Sequence, residues 1–326
     1  MCWPGTNNRG AAPGAAPWLR AAVLCCLALA CVLLPVSSAR AFSSGTVENL
    51  RTLGTSPEIR VAQVRVPMRP AGKENFVFEE PWLFGPEEQP QPSGAEAGGC
   101  AVPNDGKELP RVAIIIDDMG HHHRLGAALL GLEMNLTFSF LPHAPFSREL
   151  AEQAWQKGHD ILVHMPMEPL DPAWDPGPGT LYLADPPEEV ARKVAQNLSF
   201  VPHAVGINNH MGSRYTGDET AMRQFFKLLA GQNLLFVDSG TSSASVAMET
   251  ARAMGFKSVR RNVFLDNVQS QEDICRQLKL LVTDARKRGW AIGIGHPNEA
   301  TLTALTSCRE MLQGQVRLVG IHELVR

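Results

Sequence analysis

The chain has 326 residues, 30 basic and 33 acidic side chains, and a formal charge of -3. That length holds one large α/β domain with extensions, or two modest domains. The near balance of charge supplies neither a basic stripe for nucleic acid nor an acidic tail, so nucleic acid is excluded as a partner and function must be sought in a site.

Residues 1–41 read as an export signal. Arg9 and Arg20 flank an apolar run, and the small-residue site Ala39-Arg40-Ala41 follows it, so the mature chain is expected to begin at Phe42. The run covers residues 21–36, 16 in all, short of the roughly 20 that span a bilayer. An uncleaved N-terminal membrane anchor is therefore the lesser alternative. Four of the seven cysteines lie in this leader, which leaves Cys100, Cys275 and Cys308. At most one internal disulfide can form among them; Cys275 and Cys308 fall in separate helical patterns, and two buried thiols is the favoured reading.

Residues 42–106 lose periodicity and fill with Pro, Gly, Glu and Gln, as in Gly85-Pro-Glu-Glu-Gln-Pro-Gln-Pro-Ser-Gly94. Such a segment buries too little apolar surface to offset its chain entropy and reads as a largely disordered linker. Its apolar pieces, residues 59–66 and 76–84, could dock on the domain, and the linker is a candidate contact for an envelope protein.

From residue 107 to 326 strand-like and helix-like stretches alternate. Strands are expected over 112–116, 136–141, 160–163, 204–207, 234–237, 259–265, 290–294 and 316–319. Helices are expected over 147–157, 187–200, 218–232, 243–254, 270–288 and 298–313. Pro187 suits a first helical turn, and Ser270-Gln-Glu-Asp273 suits a capping box. Seven or eight repeats of strand then helix predict a parallel sheet with both faces covered, and the span fits a closed or nearly closed barrel better than an open doubly wound sheet. Gly293-Ile-Gly295 lacks the remaining features of a dinucleotide loop.

The first strand, Val112-Ala-Ile-Ile-Ile-Asp117-Asp118-Met-Gly120, runs from a buried β-branched core into two carboxylates. Adjacent negative charges repel unless a cation is shared between them. In a regular strand the two would face opposite sides, and Met119-Gly120 permits the turn that brings both to one pocket. Later strands end in Pro142-His143, His164, Asn208-Asn209-His210, Asp238-Ser239 and His296. In a parallel barrel these ends open on one face, and so many of them from a chain with only 10 histidines point to metal binding or proton transfer. His121, His122 and His123 read as a solvent-facing triplet, His143 as a loop residue, His159 as surface, and His203 as structural at the opposite end of the barrel.

Six segments in order carry a resemblance: Ile114-Ile-Ile-Asp-Asp-Met-Gly120, Leu162-Val-His-Met-Pro-Met-Glu-Pro169, Gly206-Ile-Asn-Asn-His-Met-Gly-Ser213, Phe236-Val-Asp-Ser-Gly240, Asn262-Val-Phe-Leu-Asp266 and Gly293-Ile-Gly-His-Pro297. They look like the successive motifs of the divergent polysaccharide deacetylases, a distant branch of the polysaccharide deacetylase and carbohydrate esterase superfamily. The resemblance implies a distorted (β/α) barrel of about seven strands, of the glycoside hydrolase/deacetylase type, and a divalent metal, usually zinc. It also implies Asp117 as base, Asp118 and His164 as metal ligands, and His296 as general acid. Where ordinary deacetylases carry a second His four residues after the first, this chain has Glu168. Either Glu168 ligates in its place or His210 closes the site from the next strand; His210 is preferred because it keeps the Asp-His-His character. Asn208, Asn209, Arg214 and Asp238 are expected around the substrate or behind the ligands, with Asp238 orienting a histidine.

The expected function is that of an exported, periplasmic, metal-dependent hydrolase removing acetyl groups from a cell-envelope polysaccharide or peptidoglycan. The alternative is a glycan-binding or assembly protein that kept the barrel and lost turnover, which the Glu168 departure favours.

Overall fold

The computed structural model describes residues 108–325; the expected leader and linker, 1–41 and 42–106, lie outside them. The first half of the domain runs β1 (Arg111–Met119), α1 (His123–Leu130), β2 (Thr137–Phe140), α2 (Ser147–Gln156), β3 (Asp160–Met167), α3 (Pro187–Phe200) and β4 (Gly206–Met211). The second half runs α4 (Glu219–Leu229), β5 (Leu235–Asp238), α5 (Ala247–Ala253), β6 (Ser258–Arg260), β7 (Val263–Phe264), α6 (Gln271–Arg288), β8 (Trp290–Gly295), α7 (Glu299–Ser307) and β9 (Arg317–Leu318).

All the strand pairs are parallel, in the order β6-β5-β4-β3-β2-β1-β8-β7, with the two-residue β9 also along β1. The span expected as one strand over 259–265 is divided. Its first part pairs with β5, Asp238 opposite Arg260, and its second with β8, Val263 opposite Gly293. Between them Arg261 donates its backbone N–H to Asp238, and Asn262 donates to Ile292. One short stretch thus joins the two edges of the sheet and curls it into a distorted (β/α) barrel. Counting β6 and β7 together, seven strands make its wall.

The wall has two faces because side chains alternate along a strand. In β1, Val112, Ile114 and Ile116 pack outward against the helices, while Ala113 and Ile115 face a second apolar cluster with Leu162, Val237, Ile292 and Ile294. Val319, Ile321, Leu324 and Val325 of the C-terminal segment belong to that inner cluster and close its lower end. The inward phase then continues upward as Asp117 on β1, His164 on β3, Asn208 on β4, Ser239 after β5 and His296 after β8, each at most 3% exposed. The barrel interior is apolar below and polar above.

Local signals account for several elements. Pro187 opens α3, Ser270 accepts the Asp273 N–H at the start of α6, and Gly289 ends α6 in the left-handed conformation. Helix α1 was not anticipated: it has no side-chain cap and starts inside the histidine triplet. Cys275 on α6 and Cys308 at the end of α7 are joined in a disulfide with their Cα atoms 6.0 Å apart, which corrects the reading of two buried thiols. The two helices pack side by side, α6 also against β8, and that brings residues 33 apart in sequence within bonding range.

Candidate functional site

Asp117 follows the inward phase of Ala113 and Ile115. Asp118 would face the helices, but its φ of +52° turns the chain inward, and the β1–β2 register slips between Ile116 and Met119. The turn therefore begins one residue before the expected Met119-Gly120. A non-glycine residue in this conformation costs of order 1–2 kcal/mol, so the fold holds both carboxylates on one side against local preference. Gly120 completes the turn at φ +122°, where a Cβ would collide with Ser147.

The structure brings Asp118, His164 and His210 together. Asp118 Oδ1 lies 3.0 Å from His164 Nε2 and 2.9 Å from His210 Nδ1, and the two ring nitrogens are 3.1 Å apart. Donors about 2.0–2.2 Å from a common ion, at tetrahedral or octahedral angles, stand roughly 2.8–3.6 Å from one another. The observed triangle has that size, and all three residues are buried. Asp118 Oδ1 is fully buried yet makes no hydrogen bond of acceptable geometry with either ring. A carboxylate oxygen and two imidazoles fit a divalent cation of borderline softness.

Electrostatics point the same way. Burial alone would raise the pKa of Asp118, but His210 and His164 more than reverse that and hold the carboxyl well below the usual carboxylate range. Burial lowers the pKa of His164, yet Asp117 first and Asp118 next push it up to about 9. Two carboxylates in a dry pocket draw positive charge to this point, whether carried by a proton or by a metal ion.

Asp117 stands just outside the triangle, its Oδ2 3.9 Å from His164 Nε2. Asn208 lies between them: its Nδ2 donates to Asp117 Oδ1 at 2.7 Å, and its Oδ1 is 2.9 Å from His164 Nδ1. On the neighbouring strand Ile116 pairs with Gly295, so His296 comes next in register beside Asp117. His296 Nδ1 is 2.9 Å from Asp266 Oδ1. The other oxygen of Asp266 accepts the His296 N–H, Asn298 Nδ2 and Thr301 Oγ1. Burial would raise the pKa of Asp266, but His296 and these donors hold it down, so it remains an anion under the imidazole.

Residues 114–325 match the family model of the divergent polysaccharide deacetylases. The chain belongs to this family. It is 37% identical over 216 residues to an uncharacterized protein of Haemophilus influenzae, covering 66% of this chain and 77% of that one. It is 35% identical over 215 residues to the uncharacterized protein YibQ of Escherichia coli, covering 66% and 67% respectively. Among solved structures, an uncharacterized protein of Agrobacterium tumefaciens superposes with a TM-score of 0.65 at 26% identity, covering 68% of this chain and 92% of the other.

In this member of the family Glu168 stands apart from the Asp118, His164 and His210 triangle. Its Oε1 accepts Arg214 Nη1 at 2.8 Å and its Oε2 accepts the Leu183 N–H at 2.6 Å, so it anchors the β3–α3 connection. The third position of the triangle is taken by His210. Arg214 is more than half exposed at the rim. Asp238, expected to orient a histidine, instead binds Arg260 and Ser245 and ties β5 to β6; the carboxylate under a histidine is Asp266. Asn209 accepts the Ser239 N–H and donates to the Met211 carbonyl, which makes it a brace of the β4 and β5 ends.

Sequence reasoning gave no role to Asp266, Asn298, Thr301 or Ser139. Alternation in Thr137-Phe-Ser-Phe140 was the available signal for Ser139, which faces inward and donates to Asn208. Of the remaining histidines, His123 pairs with Glu149, His143 with Asn197 and His203 with Glu152, while His159 is half-buried against the Leu136 carbonyl. His121 lines a cleft of about 220 Å³ that opens onto Asp118 and His210, walled by Leu141, Pro142 and the 175–178 loop.

Proposed function

We propose that this chain is an exported, zinc-dependent hydrolase that removes acetyl groups from an N-acetylated cell-envelope polysaccharide. The observation that carries this reading is the convergence of Asp118, His164 and His210 at the barrel end where Asp117 and the Asp266-bound His296 also stand. Membership of a polysaccharide deacetylase family supports the substrate class. Export is supported by the leader pattern and by the Cys275–Cys308 disulfide, a bond that persists in oxidising compartments.

Asp118, His164 and His210 would hold a zinc ion, which would supply an electrophile able to acidify water and polarise an acyl carbonyl. Asp117, anionic and fixed by Asn208, takes the proton of the attacking water as its oxygen bonds to the acyl carbon. His296 keeps a proton on Nδ1 against Asp266, so Nε2 is the atom that passes a proton to the leaving amine as the C–N bond breaks. Acetate and a free amine result. The cleft is smaller than sites that enclose a whole ligand of drug size, roughly 300–1,000 Å³, and its apolar wall of Leu141, Pro142 and Ala144 suits a small acyl group.

The test is acetate release from N-acetylated glycan oligomers and peptidoglycan, measured on the zinc-loaded chain, after chelation, and after zinc is restored. Release that chelation abolishes and zinc restores is expected. Release indifferent to chelation would remove the metal from the scheme. A zinc-loaded chain that binds oligomers but liberates no acetate would be a glycan-binding protein without turnover.

A further inference from the structure

We propose that Asn208 is a positioning residue that sets the tautomer of His164 and the orientation of Asp117 through one side-chain amide. This rests on the reading of Asp118, His164 and His210 as a cation site and extends it to the group that aims one of its ligands.

The deduction follows from donor and acceptor inventories. The Asp117 carboxylate can only accept, so the Asn208 atom 2.7 Å from it must be the NH2 group. Its second hydrogen faces Ser239 Oγ at 3.3 Å. The amide oxygen is thereby turned toward β2 and β3, where it receives Ser139 Oγ and lies 2.9 Å from His164 Nδ1. An oxygen that only accepts requires a proton on that ring nitrogen. His164 must then carry hydrogen on Nδ1, and its Nε2 lone pair is the one aimed at Asp118 and His210. Asn208 is completely buried and every one of its hydrogen-bonding sites has a partner, so flipping the amide would break four contacts at once. The register places it for this work: on β4 it pairs with His164 of β3 on one side and Val237 of β5 on the other, under the carboxylate of β1.

Two substitutions separate the arms. Asn208→Asp retains an acceptor for His164 Nδ1 but replaces the donor to Asp117 with a second anion. Asn208→Leu removes both arms at similar volume. The readouts are the dissociation constant for zinc alone, by competition with a chromophoric chelator, and the rate of acetate release, with circular dichroism as the folding control. Asn208→Leu is expected to weaken zinc about 10–100-fold, the usual effect of removing a ligand's hydrogen-bond partner. Asn208→Asp is expected to keep zinc within about threefold of wild type, yet to lose acetate release, because the donor that orients Asp117 is gone. Equal zinc affinity in wild type and Asn208→Leu, or equal losses of zinc in both variants, would overturn the proposal. Wild type that binds no zinc would instead sink the cation-site reading beneath it.

Discussion

The barrel sets a histidine against an aspartate at each end, and the two pairs behave differently. At the lower end His322 Nδ1 lies 2.7 Å from Asp160 Oδ2, with 60% of the histidine side chain exposed. At the upper end His164 Nε2 lies 3.0 Å from Asp118 Oδ1, with both side chains at most 2% exposed. Residue type and distance are nearly the same. What differs is water and convergence: the upper pair is desolvated and joined by His210, Asp117 and Asn208, while the lower pair fastens a turn. Asp160 also accepts the His322 N–H, and Thr137 Oγ1 accepts the Ile321 N–H, so this contact seats the C-terminal segment under the apolar floor.

The strongest way to break the comparison is to disable proton transfer at the upper end alone. Asp117→Asn and His296→Ala should each lower acetate release by about 10²–10⁴, the usual worth of a positioned acid or base. Zinc binding should persist in both, since neither belongs to the cation triangle. Acetate assays beside zinc titrations check this; variants retaining more than a third of wild-type turnover would mean that the upper end is no more catalytic than the lower. The next largest effect concerns how the upper end is braced. The Cys275–Cys308 bond closes a loop across 33 residues, and its other helix, α7, begins with the Asn298 and Thr301 that hold Asp266. The double variant Cys275→Ser with Cys308→Ser should lose about 3–4 kcal/mol of stability by loop entropy, read from urea unfolding. A loss under about 1 kcal/mol would show that helix packing alone fixes α7.

How much of this was legible in the residues depends on whether the signal was local. The sheet, its parallel order and the polar strand ends follow from β-branched runs and alternation, and Pro187 and Ser270 mark their helices by rules that act within one turn. Strands β3 and β4 extend past their expected ends, through Met167 and Met211, because their polar residues are part of the ladder rather than beyond it. Pro166 is accommodated there with its carbonyl receiving the Leu181 N–H. The division of 258–264 into two pairings was invisible, since it is the closing of the barrel that decides which neighbour each half meets. The same holds for which aspartate lies under His296. Asp238 and Asp266 both follow apolar runs, and only the fold shows Asp238 drawn to Arg260 and Asp266 to the histidine.

A smaller effect sharpens the electrostatic half of the comparison. The folded pKa of His164, about 9, exceeds the ordinary imidazole value of 6.5, so its contribution to the metal-free fold is complete below 6.5 and lost as pH rises toward 9. Asp118 is depressed, so its contribution is present above the ordinary carboxylate pKa and does not change over that window. The melting temperature of the chelated chain should therefore fall from pH 6.5 to 9. On the proposed reading zinc would take the place of the proton, so the stabilisation it adds should grow over the same interval. Parallel melting curves with and without zinc would mean that His164 does not exchange its proton for the ion.

The smallest effect is expected at the lower end, where the test is the absence of a functional loss. His322→Ala removes a contact to Asp160 whose histidine is mostly in water, and even a charged exposed pair contributes only about 0–1 kcal/mol. Asp160 keeps the backbone N–H of residue 322 as a donor, so its carboxylate is not stranded. For a domain of this size a loss of that order lowers the melting temperature by roughly 2–4 °C. Zinc affinity and acetate release should stay at wild-type values, because between this pair and the upper cluster stands the apolar layer of Ala113, Ile115, Leu162 and Ile292, which offers no hydrogen-bonded route from one end to the other. If His322→Ala cost tenfold in turnover while the fold stayed intact, the two ends would be coupled through the barrel floor, and the seating of Ile321 and Leu324 would have to be counted among the determinants of the site above.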